Sequence, residues 1–471
     1  MTSNLLSIGK SGLLAAQTGL SVVGNNITNA NVTGYSRQSV LQQTALSTSI
    51  GVGYVGNGTQ VSQVKRIYDS FISTQVRAAQ SNTSSLDAYF TQASQIDNLL
   101  ADTTAGLSPV LQSFFSGVQD LAANPSSVAS RQSLVSNAAT LASRFQSLSA
   151  RLTEIGDGVN SEITSSVTSI NVYAKQIAEL NESIAKLSIN TSNQPNDLLD
   201  QRDQLVNELN KLVKANVVVG DNNMISVSIG SGQPLVVGTK SFELAATPSS
   251  TDPSRLVIGL VKGNKIGELA EDDLSGGSLG GLLAFRSETL DKVQNQLGKV
   301  AVALASAFND QHALGQDQNG NMGGKFFNIG DPTITGNKNN SAASTTVLSA
   351  KISDASQLTD SNYALDYDGS NYIVTRQSDG LKTIINPYPQ TGPQTIDGID
   401  FSISGAASAG DNFLVKPTAN AAASMSVAIT DLAKVATASP ISTLSTVANS
   451  GSGKISAGSV DKAYLAPGNA L

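Results

Sequence analysis

The stretch Phe145-QSLSARLTEIGDGVNSEITSSVTSINVYAKQIAELNESIAK-Leu187 decides the fold. Its apolar residues recur at alternating intervals of three and four, which is the spacing of a long amphipathic helix packed as in a coiled coil. This stripe predicts a helical bundle as the core of the protein. Its members are Phe145, Leu148, Leu152, Ile155, Val159, Ile163, Val167, Ile170, Ala174, Ile177, Leu180, Ile184 and Leu187.

The helical spacing extends outward from this stripe over residues 86–215. Asn124-Pro125 and Gln194-Pro195 predict breaks between helices, because proline disfavours helical backbone in the residue before it. The apolar period changes to two over residues 215–262, which predicts a β insertion. Helical spacing then returns from Gly280 to about His312.

From Asp331 onward the sequence is typical of β structure. Two alternating runs flank Asp368-Gly369, a strong hairpin signal. Residues 396–403 and 413–415 are predicted as further strands. The fold class is therefore α+β and multidomain, with a long coiled-coil-like helical bundle and outer antiparallel β domains.

Residues 4–30 predict a separate amphipathic helix. Large apolar residues recur every seven positions at Leu6, Leu13, Leu20 and Ile27, and smaller residues, Ala16 and Val23 among them, occupy the other heptad position. We call these six residues the N-terminal seam. An ordinary core helix is the alternative explanation. Because no second helix of matching length is predicted before residue 86, we expect a distant or intermolecular partner, and therefore a loosely placed helix in this chain.

Composition excludes several classes of function. The chain has 471 residues, a net charge of −7 and 14% charged residues. Its longest basic run is Lys65-Arg66, so a phosphate-binding surface is not predicted and we expect no nucleic-acid partner. No apolar run reaches the roughly 18 residues of a membrane span, and we expect no membrane partner. Cysteine is absent, which excludes disulfides and thiolate chemistry.

Two motifs resemble ligand sites and fail on inspection. The glycines of Gly51-Val-Gly53-Tyr-Val-Gly56 match a dinucleotide fingerprint, but the sequence that follows does not begin a helix. Asp317 to Asn321 resembles the start of a calcium loop, but the position that needs the turn glycine is Met322. The first is predicted to be a glycine-rich turn and the second an Asx turn, so we expect no cofactor and no metal.

Histidine-dependent catalysis would have to use His312, the one histidine of the chain. It lies at the end of an apolar helix, where histidine commonly caps terminal carbonyl groups. We therefore predict a capping role and no enzymatic activity. The alternative, a hydrolase, would depend on this residue.

Residues 25–38 resemble the N-terminal signature of flagellar rod, hook and hook-associated proteins. The resemblance rests on one cluster of polar and turn-forming residues, and it identifies the axial family without separating its members. The matching residues are Asn25, Asn26, Asn29, Gly34, Tyr35 and Arg37.

A second motif narrows the resemblance to the hook-associated protein 1 family. Residues 196–203 closely resemble a segment of that family, as do residues 51–71, 280–286 and 410–418. Flagellin, the second junction protein and a β-module surface adhesin remain as alternatives. We call residues 196–203 the acidic motif, and its signature residues are Asn196, Asp197, Asp200, Arg202 and Asp203.

This resemblance implies a structural adaptor that joins hook to filament outside the cell. It implies export by the flagellar type III system without a cleaved signal peptide. The implied partners are the hook protein, the second hook-associated protein, copies of the same chain and an export chaperone. Family members end in a long apolar helix, which is not found near Leu471. We therefore expect a C-terminally truncated chain that lacks the chaperone-binding end.

The sequence predicts five regions. Residues 1–34 form half of an inner-tube helical domain, and 35–85 form an extended signature segment. Residues 86–330 form the helical core with its β insertion, and 331–418 form an outer β domain. Residues 419–471 are predicted to begin a variable outer region.

Overall fold

The structure is a computed structural model that describes residues 2–49, 51, 53–102, 106–188, 193–441, 451–452 and 460. The chain divides into two compact units. Unit 1 contains Met1–Thr91, Asn160–Thr247 and Leu256–Ala284, and unit 2 contains Gln92–Val159, Pro248–Arg255 and Phe285–Leu471. Most of the residues predicted as a variable outer region, 442–450, 453–459 and 461–471, lie outside the described residues.

Unit 1 begins with a helix that lies on a β-hairpin. The elements are α1 (Thr2–Thr28), β1 (Gln38–Thr44), β2 (Thr48–Ser49), β3 (Tyr54–Val55) and β4 (Thr59–Arg66). β1 pairs antiparallel with β4, and α1 packs against both strands. Ala15 is buried on the packed face, and the Thr59 N–H donates to the Ser11 hydroxyl at 3.2 Å. The expectation of a loosely placed helix was therefore wrong, because the face opposite the N-terminal seam anchors it.

Four helices follow, namely α2 (Ser70–Leu100), α3 (Ser108–Ala123), α4 (Val128–Ser188) and α5 (Asn196–Leu212). The predicted stripe on α4 is buried from Phe145 to Ile184 except for the half-buried Leu180, whereas Leu187 is exposed. Both predicted breaks are confirmed. α2 begins sixteen residues earlier than predicted (86 − 70), because the Asp69 carboxylate caps its first turn by accepting from the Phe71 and Ile72 N–H groups.

The predicted insertion consists of two small antiparallel sheets that extend to Glu268. The first contains β5 (Ala215–Val219), β6 (Ile225–Ile229), β7 (Gln233–Val237) and β8 (Lys240–Ser241), and the second contains β9 (Leu244–Pro248), β10 (Leu256–Lys262) and β11 (Lys265–Glu268). Asparagines of α4 hold both sheets. Asn181 bonds the backbone of Ile225 and Gly238, and Asn171 exchanges two bonds with Leu244.

The returning helical segment consists of α6 (Gly277–Phe285), a π turn (Arg286–Leu290) and α7 (Asp291–Ala313). Within unit 2, the rings of Phe114, Phe308, Phe326 and Phe327 form an aromatic cluster with neighbouring centroids 4.7–5.8 Å apart. His312 is buried at the edge of this cluster. The sequence predicted that His312 caps its own helix, and this prediction was wrong. Its ring nitrogens instead bond the backbone of Gly324 and Ala436.

The remaining strands of unit 2 form a β domain. The short strand β12 (Phe327–Asn328) precedes this domain, whose strands are β13 (Thr333–Gly336), β14 (Val347–Ile352), β15 (Tyr363–Tyr367), β16 (Tyr372–Arg376), β17 (Lys382–Ile385), β18 (Gln394–Ile396), β19 (Ile399–Ser404) and β20 (Asn412–Lys416). A five-stranded sheet, β13-β20-β15-β16-β17, and a three-stranded sheet, β14-β19-β18, share one core. The Asp368-Gly369 hairpin is confirmed. Residues 396–403 are not one strand, because Asp397 and Gly398 adopt positive φ and turn the chain.

Residues 419–441 do not begin a separate region. The short helix α8 (Ala421–Ser424) and β21 (Ser426–Val427) follow the β domain, and β21 pairs with β12. Met425 and Val435 are buried. This part of the chain therefore belongs to the core of unit 2.

Candidate assembly site

The residues that follow α1 fold back on the helix through asparagine side chains. The Asn26 amide exchanges two hydrogen bonds with the Gln38 backbone, both 2.9 Å, and its oxygen also accepts from the Tyr35 hydroxyl at 2.8 Å. The Asn29 amide donates to the Asn25 side-chain oxygen at 2.7 Å. Amide side chains suit this role because each carries both donor and acceptor. We call residues 25–38, which comprise the last turn of α1 and the segment that follows it, the signature loop.

Gly34 lets the signature loop approach α5. Its φ is +85°, and a Cβ at this position would lie 3.0 Å from Gln204 Oε1 and 3.2 Å from Gln204 Cβ. A side chain is therefore disfavoured both by the left-handed backbone and by the lack of space. The loop requires glycine here.

The structure brings the signature loop and the acidic motif together. The Ser36 N–H donates to Asp200 Oδ2 at 2.9 Å, and Gln38 Nε2 donates to Asp197 Oδ1 at 3.2 Å. Asn196 reaches the neighbouring strand, where its amide donates to the Val64 carbonyl at 2.9 Å. The two motifs on which the resemblance rests are thus halves of one contact.

Arg66 at the end of β4 is the cation of this contact. Its Nη1 lies 2.9 Å from Asp200 Oδ1 and 2.7 Å from Asp203 Oδ2, and all three side chains are mostly buried. Burial alone would lower the pKa of Arg66, but the carboxylates of Asp203 and Asp200 outweigh it and raise that pKa. The guanidinium also lies 4.2 Å from the ring centroid of Tyr68.

Burial, followed by the charges of Asp197 and Asp200, raises the pKa of Tyr35. The phenol therefore stays protonated and keeps its hydroxyl as the donor to Asn26. Because the phenol is neutral, it adds no further negative charge beside Asp197 and Asp200.

The two predicted signature arginines occupy different surroundings. Arg202 points away from the signature loop, and its Nη1 donates to Asn181 Oδ1 at 3.0 Å and to the Asn223 carbonyl. Burial lowers the pKa of Arg202. Arg37 is exposed, and its carbonyl accepts from the Ile67 N–H at 2.7 Å. Arg66 and Asn181 were not predicted as site residues. The position of Lys65-Arg66 at the end of an extended segment was the one signal that pointed to Arg66.

The N-terminal seam is exposed in unit 1. The relative exposures are 78% for Leu6, 72% for Leu13, 74% for Leu20, 70% for Ile27 and 52% for Val23, and Ala16 is exposed as well. Large aliphatic side chains are usually buried, so a row of them at heptad spacing indicates an interaction surface. The structure does not place another described segment of the chain over this row.

A second exposed heptad row lies on α2 and was not predicted. Its members follow the same intervals of four and three, and the row ends with Leu86 and Phe90, which are 68% and 72% exposed. The early start of α2 hid this pattern from sequence analysis. We call it the α2 seam: Ile72, Val76, Ala79, Thr83, Leu86 and Phe90, all exposed.

The ligand-like motifs form turns in the structure. Tyr54 and Val55 of the glycine-rich segment form β3, and strand β4 follows instead of a helix. The Asp317 carboxylate accepts from the Asn319 and Asn321 N–H groups, both at 2.8 Å, which is the predicted Asx turn. Among the described residues, no group of three or more histidine or carboxylate side chains is placed to hold a metal ion. No described helix is long and apolar enough to span a bilayer.

Most of this chain matches known protein families. Residues 93–327 match the flagellar hook-associated protein FlgK helical domain, and residues 335–417 match the flagellar hook-associated protein 1 D2-like domain. Residues 6–35 match the flagella basal body rod protein family. Flagellar hook-associated protein 1 of Salmonella typhimurium is 44% identical over 441 residues, which cover 93% of this chain and 79% of that protein. The chain belongs to the flagellar hook-associated protein 1 family.

Two further relatives support the same family assignment. Flagellar hook-associated protein 1 of Escherichia coli is 41% identical over 439 residues, covering 93% of this chain and 80% of that protein. The flagellar hook junction protein FlgK of Burkholderia pseudomallei superposes with a TM-score of 0.77 at 41% identity, covering 83% of this chain and 70% of that one. The predicted α+β multidomain class is confirmed. As a member of the hook-associated protein 1 family, the chain is a structural axial component of the bacterial flagellum, at the hook–filament junction.

Proposed function

We propose that this chain acts as a non-catalytic adaptor whose two exposed seams pack against helices of neighbouring flagellar subunits. The observation that carries the proposal is the pair of apolar heptad rows on α1 and α2, both of which are exposed. The opposite face of α1 packs against β1 and β4, and α2 accepts a hydrogen bond from the buried Asn210 at the Arg77 carbonyl. Such rows stabilise an assembly by apolar burial and set its helix register by their spacing.

The N-terminal seam offers several kcal/mol of apolar burial to an assembly. Covering one exposed leucine or isoleucine contributes about 1.5–3 kcal/mol. The N-terminal seam has four such residues at its large positions, all at least 70% exposed. Ordering and association costs offset part of this gain, and the α2 seam adds to it.

The contact between the signature loop and the acidic motif positions the N-terminal seam. It fixes the end of α1 on α5 through the Asp200 carboxylate, which binds both Ser36 and Arg66. A helix whose end is already fixed in one orientation loses less conformational entropy when it packs against a partner than a helix on a flexible linker does. We therefore assign the acidic motif a positioning role, and no catalytic role to any residue.

The proposed partners are the hook protein on one side, the second hook-associated protein on the other, and copies of this chain between them. Export through the flagellar type III system suits a chain without cysteine, since no disulfide has to be reduced before threading. Cytoplasmic delivery by an export chaperone belongs to the same proposal.

Catalysis by the single histidine is disfavoured by its surroundings. His312 Nδ1 lies 2.7 Å from the Gly324 carbonyl, and its Nε2 accepts from the Ala436 N–H at 2.8 Å. Both ring nitrogens are thus engaged by backbone groups, which leaves neither available as a general base. A His312→Ala variant assayed with glycan and peptide substrates tests this point, and any His312-dependent turnover contradicts it.

Complementation tests the proposed function. Full-length protein is expressed in cells that lack their own hook-associated protein 1, and hook–filament junctions are counted by electron microscopy. We expect junctions and attached filaments to be restored. Hooks that remain bare despite secretion of the protein would contradict the adaptor role, whereas a failure of secretion would contradict the export proposal.

A further inference from the structure

A strap formed by residues 431–438 lies on the helical part of unit 2. Asp431 caps its first turn by accepting from the Ala433 N–H at 3.0 Å. Gln316 exchanges backbone hydrogen bonds with Ala438, at 2.8 and 3.2 Å, and the Gln318 N–H donates to the Ala433 carbonyl at 3.1 Å. Val435 is the buried apolar residue of the strap. The strap is therefore held mainly by polar contacts.

Arg131 of α4 provides one such contact. Its guanidinium donates to the strap carbonyls of Leu432 and Val435 and to the Thr437 hydroxyl, the last at 2.7 Å. It also donates twice to the Pro125 carbonyl. Burial lowers the pKa of Arg131, but an arginine remains charged at any ordinary pH, so this contact does not titrate.

His312 provides the contact that can titrate. The Ala436 N–H can only donate, so Nε2 must carry a lone pair, and the Nδ1 proton must then point to the Gly324 carbonyl. The observed arrangement therefore requires the neutral ring in one tautomer. Adding a proton to Nε2 places two donors against each other and removes the bond to the strap.

A cavity of about 540 Å³ lies beside the strap. Its apolar lining includes Leu121 and Leu134 from the helices, Phe308 from α7, and Val435 from the strap itself. Displacing the strap removes Val435 from this lining and exposes more of the apolar cleft to solvent.

We propose that the strap is a pH-sensitive latch, closed by neutral His312 and released when His312 is protonated, with exposure of the cleft that Leu121, Leu134 and Phe308 line. The inference goes beyond the adaptor function and does not depend on it. It rests on one imidazole that binds the strap and the body of unit 2 through its two nitrogens.

The charges around His312 define the direction of the effect. Burial lowers the pKa of His312, while the bond to Gly324 and the carboxylate of Asp317 oppose this. Arg131 stands at the same strap as a second cation. The other charged groups on the packed segments are exposed to water: Asp310, Lys325, Asp431 and Lys434. Because the folded pKa lies below that of the free side chain, the latch is fully closed above about pH 6.5 and weakens as pH falls through the folded value.

The chain offers a clean probe, since His312 is its one histidine. Protein labelled with ¹⁵N-histidine gives the signals of one imidazole, and the shifts of its two ring nitrogens report the tautomer. Hydrogen exchange monitored by mass spectrometry, corrected for intrinsic rates, reports protection of the strap amides. We expect the Nδ1-H tautomer at pH 8. Strap protection should fall by up to about tenfold per pH unit between about pH 6.5 and the folded pKa of His312, and should level off below that pKa.

Two variants isolate the contact. In His312→Gln the side-chain oxygen replaces Nε2 as an acceptor that does not titrate, so strap protection is expected to stay constant between pH 8 and pH 5. In His312→Phe the acceptor is lost, and low protection is expected at both values. The latch is contradicted by an Nε2-H tautomer at pH 8, or by wild-type strap protection that does not change with pH. It is also contradicted if His312→Gln retains the wild-type pH dependence.

Discussion

Arg66 on β4 and Asp200 on α5 lie 134 positions apart in the chain and are joined by a hydrogen-bonded ion pair of 2.9 Å. The same carboxylate accepts from the Ser36 N–H. One aspartate therefore connects the end of the hairpin, the signature loop and the long helical part of unit 1.

Removal of Arg66 is expected to loosen this connection. Arg66→Ala leaves two mostly buried carboxylates without their cation, and breaking such a pair typically costs about 3–5 kcal/mol. We expect the free energy of unfolding to fall by that amount, measured by denaturant titration. Hydrogen exchange should show loss of protection in β1, β4 and α5.

The adjacent exposed residue provides the matched control. Lys65→Ala removes the same charge one position earlier, and we expect a change of at most about 0.5 kcal/mol. Equal effects of the two substitutions would show that the ion pair does not hold the hairpin.

Alanine substitutions at two glycines should change the free energy of unfolding in opposite directions. At Gly34 the backbone has φ +85° and Gln204 crowds the Cβ, so Gly34→Ala is expected to destabilise by about 1–2 kcal/mol. Gly24 lies within α1, and a Cβ there meets nothing within 4 Å. Gly24→Ala should therefore stabilise the helix by about 0.5–1 kcal/mol. Thermal unfolding and circular dichroism of both variants measure the difference, and destabilisation by both would contradict the local account.

The acid stability of unit 2 should depend on Asp252. Burial raises the pKa of this carboxyl, but Lys416, which forms an ion pair with it, outweighs burial, so the pKa lies below its ordinary value of 3.8. A depressed carboxylate pKa stabilises the folded state above the unfolded pKa, and this contribution is lost as pH falls through the folded value. Wild-type protein should therefore lose stability between about pH 4 and pH 2.

Asp252→Asn removes the titrating group and is expected to flatten this part of the stability profile, although the variant is less stable at neutral pH. Lys416→Met leaves the carboxyl without its cation and should move the acid transition of unit 2 to higher pH. Urea unfolding at each pH provides the measurement. If the acid transition of unit 2 is unchanged in Asp252→Asn, other carboxylates cause it and the prediction is contradicted.

Elements with strong periodicity could be predicted from the sequence. The stripe from Phe145 to Ile184 is buried because an uninterrupted spacing of three and four determines which helix face packs. The Asp368-Gly369 turn was predictable because a positive φ, +102° at Gly369, needs that residue type. Local chemistry was sufficient in both cases.

Features that depend on distant residues were not predictable. The sequence identified the acidic motif by resemblance, but its partner Arg66 lies 134 positions away and carries no local signal. The start of α2 was missed because residues 70–85 are rich in serine, threonine and glutamine, which mask the helical period. His312 was assigned to its own helix end because its bonds to Gly324 and Ala436 depend on tertiary structure.

The proposed function depends on packing of the N-terminal seam against neighbouring subunits. Leu20→Asp in the full-length protein tests it against Ser21→Asp, an exposed neighbour off the seam that receives the same charge. Neither substitution should change the stability of the isolated protein by more than about 0.5 kcal/mol, because both sites are exposed. Junction assembly, counted as hooks that carry filaments in complemented cells, is the decisive measurement. We predict that Leu20→Asp abolishes assembly while Ser21→Asp supports it; normal assembly with Leu20→Asp would contradict packing of the seam against neighbouring subunits.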